Sequence, residues 1–161
     1  MPNHALFTLD KKPSYALSLA RKLHEWGWGI VATDGTADFL RRNKVPAAEL
    51  PRIPIPLTMR KRIKTLVPRV HLALQAEDTE EVQGYLSAAG IPLIDLLCID
   101  LYDIAGESLR REIDLRSIVE HTDVGGPALI GSAGKGRRLI VCNAATAEMA
   151  LDYLRMMRGK A

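Results

Sequence analysis

The chain has 161 residues, 47% hydrophobic and 25% charged, with a net charge of +3. This describes an ordinary globular domain over residues 1–161 and excludes low-complexity, repeat and fibrous classes. So small a charge suits an anionic small ligand as readily as a nucleic acid. A nucleic-acid role would need a wider basic surface with exposed aromatics than the run at 60–69 offers, so no nucleic-acid partner is expected. Asp95 and Asp100 interrupt the longest apolar run, and the first residues, Met1-Pro2-Asn3-His4, lack a leader's basic-then-apolar profile. No membrane partner is therefore expected, and a cytoplasmic location is. The two cysteines, Cys98 and Cys142, lie in apolar runs and read as free thiols in a reducing compartment.

In chain order, residues 5–9 read as a buried strand that ends in the loop Asp10-Lys11-Lys12-Pro13. Residues 14–26 have helical spacing at Leu17, Leu19, Ala20 and Leu23, with Ser14 as N-cap and Gly27 past the end. A second strand is expected at 28–33. Asp34-Gly35-Thr36 then turns into a helix at 37–43, a βα unit whose loop lies at the carboxyl end of the sheet. Four prolines between 45 and 57 forbid a helix and predict an extended excursion. A basic segment at 58–66 follows, then a strand at 70–74, an acid-led helix at 78–89 and a nearly continuous apolar strand at 93–102. Helix 114–121, strand 139–142 and helix 144–157 complete the pattern. The alternation argues an α/β fold, a three-layer α/β/α sandwich with a mainly parallel sheet.

The most informative stretch runs from His121 to Lys135. It contains a carboxylate (Asp123), a glycine pair (Gly125, Gly126), and a short helix with Pro127 at its first position and Lys135 past its end. The glycines allow close backbone approach or positive φ, and the free N–H groups of the helix start favour an anion or an oxygen-rich ligand. A glycine-rich turn with a solvated lysine explains the same residues. Four polar features fall on one plausible edge: 33–36, 62–65, 100–102 and 123–135. Each has a plainer explanation as well. The basic run suits a solvated face, Tyr102 suits a core edge, and Asp123 suits an N-cap. The histidines and cysteines have no metal-ligand spacing, so no metal is expected.

In order and spacing, the four features resemble the IMP cyclohydrolase domain family found at the N-terminus of the bifunctional purine-biosynthesis protein PurH. That family has the methylglyoxal-synthase-like fold. It reads S-T-G-G-T where this chain has Ala32-Thr33-Asp34-Gly35-Thr36, and R-V-K-T-L-H-P-K-V-H where it has Arg62-Ile63-Lys64-Thr65-Leu66-Val67-Pro68-Arg69-Val70-His71. It reads N-L-Y where this chain has Asp100-Leu101-Tyr102, and D-I-G-G-P followed by a lysine where it has Asp123-Val124-Gly125-Gly126-Pro127 and Lys135.

The resemblance implies a dehydrative ring closure. The carboxamide nitrogen of a formylated aminoimidazole carboxamide ribonucleotide attacks its own formyl carbon, water leaves, and IMP forms without any cofactor. The implied catalytic residues are Lys64 and Tyr102, on the formyl oxygen, with Asp123 and Lys135 on the carboxamide. The implied substrate-binding residues are Thr8, Lys11, Lys12, Thr33, Gly35, Thr36, Arg62, Thr65, Asp100, Val124, Gly125 and Gly126. The family domain dimerises, so a homodimer is an implied partner, although much of that contact comes from the formyltransferase half missing here; that missing half also implies a separate formyltransferase.

The first loop departs from the family. Its phosphate-holding S-V-S-D-K-T-G is Phe7-Thr8-Leu9-Asp10-Lys11-Lys12-Pro13 here. Depending on where a gap falls, either Thr8 keeps one hydroxyl or Asp10-Lys11 match and both hydroxyls are lost. The alternative reading is therefore a non-catalytic regulatory module of the same fold that binds a nucleotide or phosphometabolite. Methylglyoxal synthase ranks third, since its histidine-containing motif is not found after Tyr102.

Overall fold

The computed structural model describes residues 3–50, 65–77, 79–101, 106, 116, 119 and 122–159. Among the described residues, five strands, β1 (His4–Thr8), β2 (Gly29–Ala32), β3 (Ala48–Glu49), β4 (Leu96–Ile99) and β5 (Leu139–Val141), form one sheet in the order β3-β2-β1-β4-β5. Every pairing is parallel, with Phe7 opposite Ala32 and Cys98, and Leu96 opposite Leu139. The helices whose bounds lie among the described residues are α1 (Ser14–Glu25), α2 (Asp34–Arg42), α3 (Pro68–Gln75), α4 (Glu80–Ala88), α5 (Gly125–Lys135) and α6 (Ala144–Arg158).

The strands' two-residue period sorts the core into two halves. Ala5, Phe7, Ile30, Ala32, Leu96 and Cys98 face a layer that includes Leu19 and Leu23 of α1, Leu40 of α2 and Ala150 of α6. Leu6, Val31, Leu97 and Ile99 face the other layer, with Val70 and Leu74 of α3, Leu86 of α4 and Leu129 of α5. The result is the expected three-layer α/β/α sandwich.

Several local expectations are corrected. Residues 70–74 belong to helix α3, not a strand. Pro68 sits in its first turn, Val67 caps it with extended backbone, and the buried residues Val70, Ala73 and Leu74 recur at helical spacing. The third strand is instead Ala48–Glu49, inside the proline-rich stretch. Helix α2 starts at Asp34, so Asp34-Gly35-Thr36 forms its first turn and not a loop. Pro13, not Ser14, caps α1, while Gly27 does follow its end with φ 83°. Helix α5 starts at Gly125, which makes Pro127 its third residue, and Lys135 is its last residue rather than one beyond it. The strand expected at 93–102 is confined to Leu96–Ile99 among the described residues. The basic segment at 58–64 and most of the helix expected at 114–121 lie outside the described residues. No helix among the described residues is long and apolar enough to cross a membrane.

Candidate functional site

From β1 the chain moves to β2 and β3 on one side, and β4 and β5 lie on the other. The carboxyl ends of β1 and β4 therefore flank the point where strand order reverses, the place where open parallel sheets form a ligand crevice. The loops after Thr8 and Ile99 and the starts of α2 and α5 converge toward this edge.

The loop after β1 is anchored to α2. Leu9 N–H donates to Thr36 Oγ1 (2.9 Å), the Thr36 hydroxyl donates to Leu9 O (3.2 Å), and the Thr33 hydroxyl donates to Thr36 Oγ1 (3.2 Å). Thr33 and Thr36 are buried, and both hydroxyls are engaged in these bonds within the protein. Gly35 is exposed and a Cβ there would meet no neighbouring atom, so it leaves the start of α2 open to solvent. Replacing Thr36 with Val strips both Leu9 bonds from a buried position. Thr36→Val is expected to destabilise the fold by about 2–3 kcal/mol, read as a lower denaturant midpoint with unchanged slope.

Beyond Leu9 the loop closes on Asp100. The backbone N–H groups of Asp10 and Lys11 donate to the two oxygens of the Asp100 carboxylate, the second at 2.8 Å. Lys12 adopts φ 53°, and its Nζ donates to Asp10 O (3.1 Å). Lys11 is exposed, and Thr8 and Lys12 are half-buried. Asp100, Lys11, Lys12 and Thr8 thus share one loop cluster, and the carboxylate sits on the backbone donors.

On the far side of β4, Asp123 holds the start of α5. Its Oδ1 accepts the Gly126 N–H (2.8 Å), although Val124 is the residue that caps the helix. The glycine pair allows close packing of protein against protein. A Cβ on Gly125 would lie 2.8 Å from Thr65 Oγ1, and one on Gly126 would lie 2.5 Å from Leu101 Cδ2 and 2.6 Å from Asp123 Oδ2. Neither glycine has the positive φ that the sequence left open. Thr65, Leu101, Asp123, Gly125 and Gly126 therefore form a second cluster at the same edge, with Val124 exposed beside it. Lys135 does not join it. Helix α5 has 11 residues and is about 16 Å long, so a single chain puts Asp123 and Lys135 at opposite ends. Lys64, Tyr102 and Arg62 lie outside the described residues.

Two features at or near this edge escaped the sequence reading. Tyr15, in the first turn of α1, donates its hydroxyl to Cys142 O (2.9 Å). Burial, joined by the negative charges that Cys98, Asp100 and Cys142 carry when ionised, pushes its pKa up to about 12. Helical spacing alone gave Tyr15 no role, because its partner Cys142 lies just past the end of β5, far away in sequence. The second feature lies midway along α5. There the buried Ser132 Oγ is 2.7 Å from His71 Nδ1 and accepts from Gln75 Nε2 (3.0 Å), joining α3 to α5. No cluster of metal-ligating side chains occurs among the described residues.

Cys98 is buried and Cys142 exposed, and no disulfide joins them. Burial above all, and then the Asp100 carboxylate, push the Cys98 thiol up, and partial burial raises Cys142. Since the thiolate is the reactive form, one thiol per native chain is expected to react with a disulfide reagent at mildly alkaline pH. The second should react only after unfolding.

Cavities away from this edge include two lined by described residues. One, of about 400 Å³, lies at the amino ends of β1 and β4 against His4, Leu86, Ile91 and Asp95. The other, of about 380 Å³, lies between the start of α3 and the back half of α4, against Val67, Arg69, Tyr85 and Ala88. Neither is lined by the two clusters at the carboxyl edge.

Comparison with known proteins places this arrangement. Bifunctional purine biosynthesis protein PurH of Thermoanaerobacter sp. (strain X514) is 34% identical over 142 residues, 87% of this chain and 28% of that protein. PurH of Persephonella marina is 32% identical over 142 residues, 87% of this chain and 27% of that protein. PurH of Neisseria gonorrhoeae (strain NCCP11945) is 34% identical over 146 residues, 89% of this chain and 28% of that protein. The chain thus spans little more than a quarter of the length of these relatives. The crystal structure of ForH superposes with a TM-score of 0.74 at 27% identity, covering 97% of this chain and 81% of that one. Residues 15–128 match the model of the MGS-like domain. With its all-parallel sheet and its two clusters at the switch point, the chain belongs to the MGS-like domain family, the fold family it shares with PurH.

Proposed function

We propose that this chain is an IMP cyclohydrolase, a hydrolase acting on a cyclic amidine in the ring-closing direction. Its substrate is the formylated aminoimidazole carboxamide ribonucleotide. The observation that carries the reading is the placement of Asp123. Its carboxylate is oriented by the Gly126 N–H (2.8 Å) and stands at the carboxyl edge beside Thr65 and Leu101. A carboxylate fixed at a helix start is suited to accept a proton from a weakly acidic carboxamide nitrogen as that nitrogen attacks the formyl carbon. The formyl oxygen must gain two protons, balanced by the one lost from the carboxamide nitrogen and the one lost from the formamide nitrogen as the ring C=N forms, and depart as water, the role the reading assigns to Lys64 and Tyr102. Because the reaction is intramolecular, the protein's main task is to hold a near-attack conformer. Relatives named for purine biosynthesis at 32–34% identity support the same substrate class. The reading carries with it a cytoplasmic location and a formyltransferase activity to supply the substrate.

One observation favours the second reading, a non-catalytic nucleotide- or phosphometabolite-binding module: Asp123 and Lys135 stand at opposite ends of α5. Ultraviolet detection of IMP from the formylated ribonucleotide separates the two. Turnover well above the spontaneous rate supports the enzyme. Folded protein that binds the ribonucleotide without turnover supports the module and sinks the cyclohydrolase.

A further inference from the structure

We propose that Asp100 is an internal stand-in for the anionic end of the ligand, so that the affinity of the β1 loop for a phosphate-bearing ligand is set by how readily this carboxylate gives way. The inference rests on the ribonucleotide reading of the same edge and goes beyond it by naming the residue that tunes anion affinity. Asp10 and Lys11 are adjacent, and their N–H groups each meet a different oxygen of the Asp100 carboxylate. Two successive backbone N–H groups converging on an anion are a common way for a loop to hold phosphate. Here they converge on a side chain of the protein itself, at the switch point between β1 and β4 where ligands of open parallel sheets bind.

The loop has anchors besides Asp100. Leu9 is bonded in both directions to Thr36, and Lys12 folds back on Asp10 O (3.1 Å) with φ 53°. The donors therefore keep their direction when the carboxylate swings away. A bound phosphate and the Asp100 carboxylate have the same sign of charge and need the same two donors, so they exclude one another. Removing the charge at Asp100 should accordingly tighten anion binding. If Asp100 were only a lock on the loop, its removal would loosen the donors and weaken binding.

The test is calorimetric titration of inorganic phosphate and of ribose 5-phosphate, with ribose as the uncharged comparison. The proteins are wild type, Asp100→Asn, Asp100→Ala and Asp38→Asn. Asp38 is exposed on α2 and paired with Arg41 at 2.7 Å, so its variant removes one negative charge away from the loop donors. Both Asp100 variants are expected to bind the two phosphates about tenfold more tightly, as follows from freeing charge-assisted donors. Ribose binding and Asp38→Asn should not change. Unchanged or weaker phosphate binding in both Asp100 variants, equal tightening in Asp38→Asn, or no phosphate binding by any of the four proteins overturns the proposal. Should the Asp100 variants fail to fold, amide resonances of the wild type decide. Those of Asp10 and Lys11 are expected to move as phosphate saturates the protein, and saturation that leaves them in place overturns the inference. The readout is affinity, so a wild type without turnover but with tighter binding in the variants removes the cyclohydrolase and leaves the role of Asp100 standing.

Discussion

Asp123→Asn is expected to lower kcat for IMP formation by about a hundredfold or more, the range for loss of a positioned general base, while leaving stability nearly unchanged. The two halves of this expectation have separate physical causes. Asparagine keeps an acceptor oxygen for the Gly126 N–H, which Asp123 Oδ1 now receives at 2.8 Å. Asn and Asp serve almost equally well at a helix start, so the unfolding free energy should move by no more than about 0.5 kcal/mol. What is lost is the charge and, on the proposed cyclohydrolase reading, the ability to take the carboxamide proton. Asp123→Ala should lose both, with a similar fall in kcat and about 1 kcal/mol of stability. Lys64→Met should match the loss in kcat and shift one limb of the pH–rate profile. Steady-state kinetics beside denaturant titration checks the set. Wild-type kcat in Asp123→Asn would remove Asp123 from the chemistry and leave it only as an acceptor for the Gly126 N–H.

What could be read in advance follows from the range of each interaction. The alternation of buried runs with amphipathic stretches is local, and it yields the layers and four of the five strands. The misassignment at 70–74 is local too. Val70, His71, Leu72, Ala73 and Leu74 satisfy a strand pattern when taken alone, but the buried set is Val70, Ala73 and Leu74, and Pro68 suits a helix start. Ala48–Glu49 has only two residues and owes its strand conformation to pairing with Val31 and Ala32. No periodicity can announce so short an element. In the candidate site, the motif residues Asp123, Gly125, Gly126, Thr65 and Asp100 were legible from residue type and order. Their partners were not. Asp100 meets Asp10 and Lys11 across 90 and 89 positions of sequence, and Thr36 meets Leu9 across 27. Only the parallel register brings these loops together. The same topology separates Asp123 from Lys135, two residues that seem close in sequence but stand at either end of a helix.

The glycines of α5 illustrate how packing overrides composition, and they give the largest stability effect expected of a single added methyl group. Three glycines at 131, 134 and 136 suggest a helix cut short, yet α5 runs through Gly131 and Gly134 and is capped by Gly136. A Cβ at Gly131 or Gly134 would meet no neighbouring atom. Gly131→Ala should therefore stabilise the protein by about 0.5–1 kcal/mol through helix propensity alone. Gly136 differs although its backbone, at φ −79° and ψ 2°, is one that alanine adopts freely. A methyl group there would collide with Leu74 O, and would lie 2.8 Å from Leu74 C and 2.9 Å from Gln75 Cα. These are backbone atoms at the end of α3, so no rotamer change relieves the overlap. Nor can the end of α3 easily retreat. Arg138 Nε donates to Leu74 O (2.9 Å), Arg138 Nη2 donates to Ala76 O, and Ser132 ties His71 and Gln75 to the middle of α5. Gly136→Ala must push the two helices apart or break those bonds, and is expected to destabilise the protein by about 3 kcal/mol or more. Denaturant titration of the two glycine variants side by side gives the comparison, with midpoints expected to move in opposite directions. A Gly136→Ala midpoint equal to wild type would mean that the ends of α3 and α5 are not packed as closely as described.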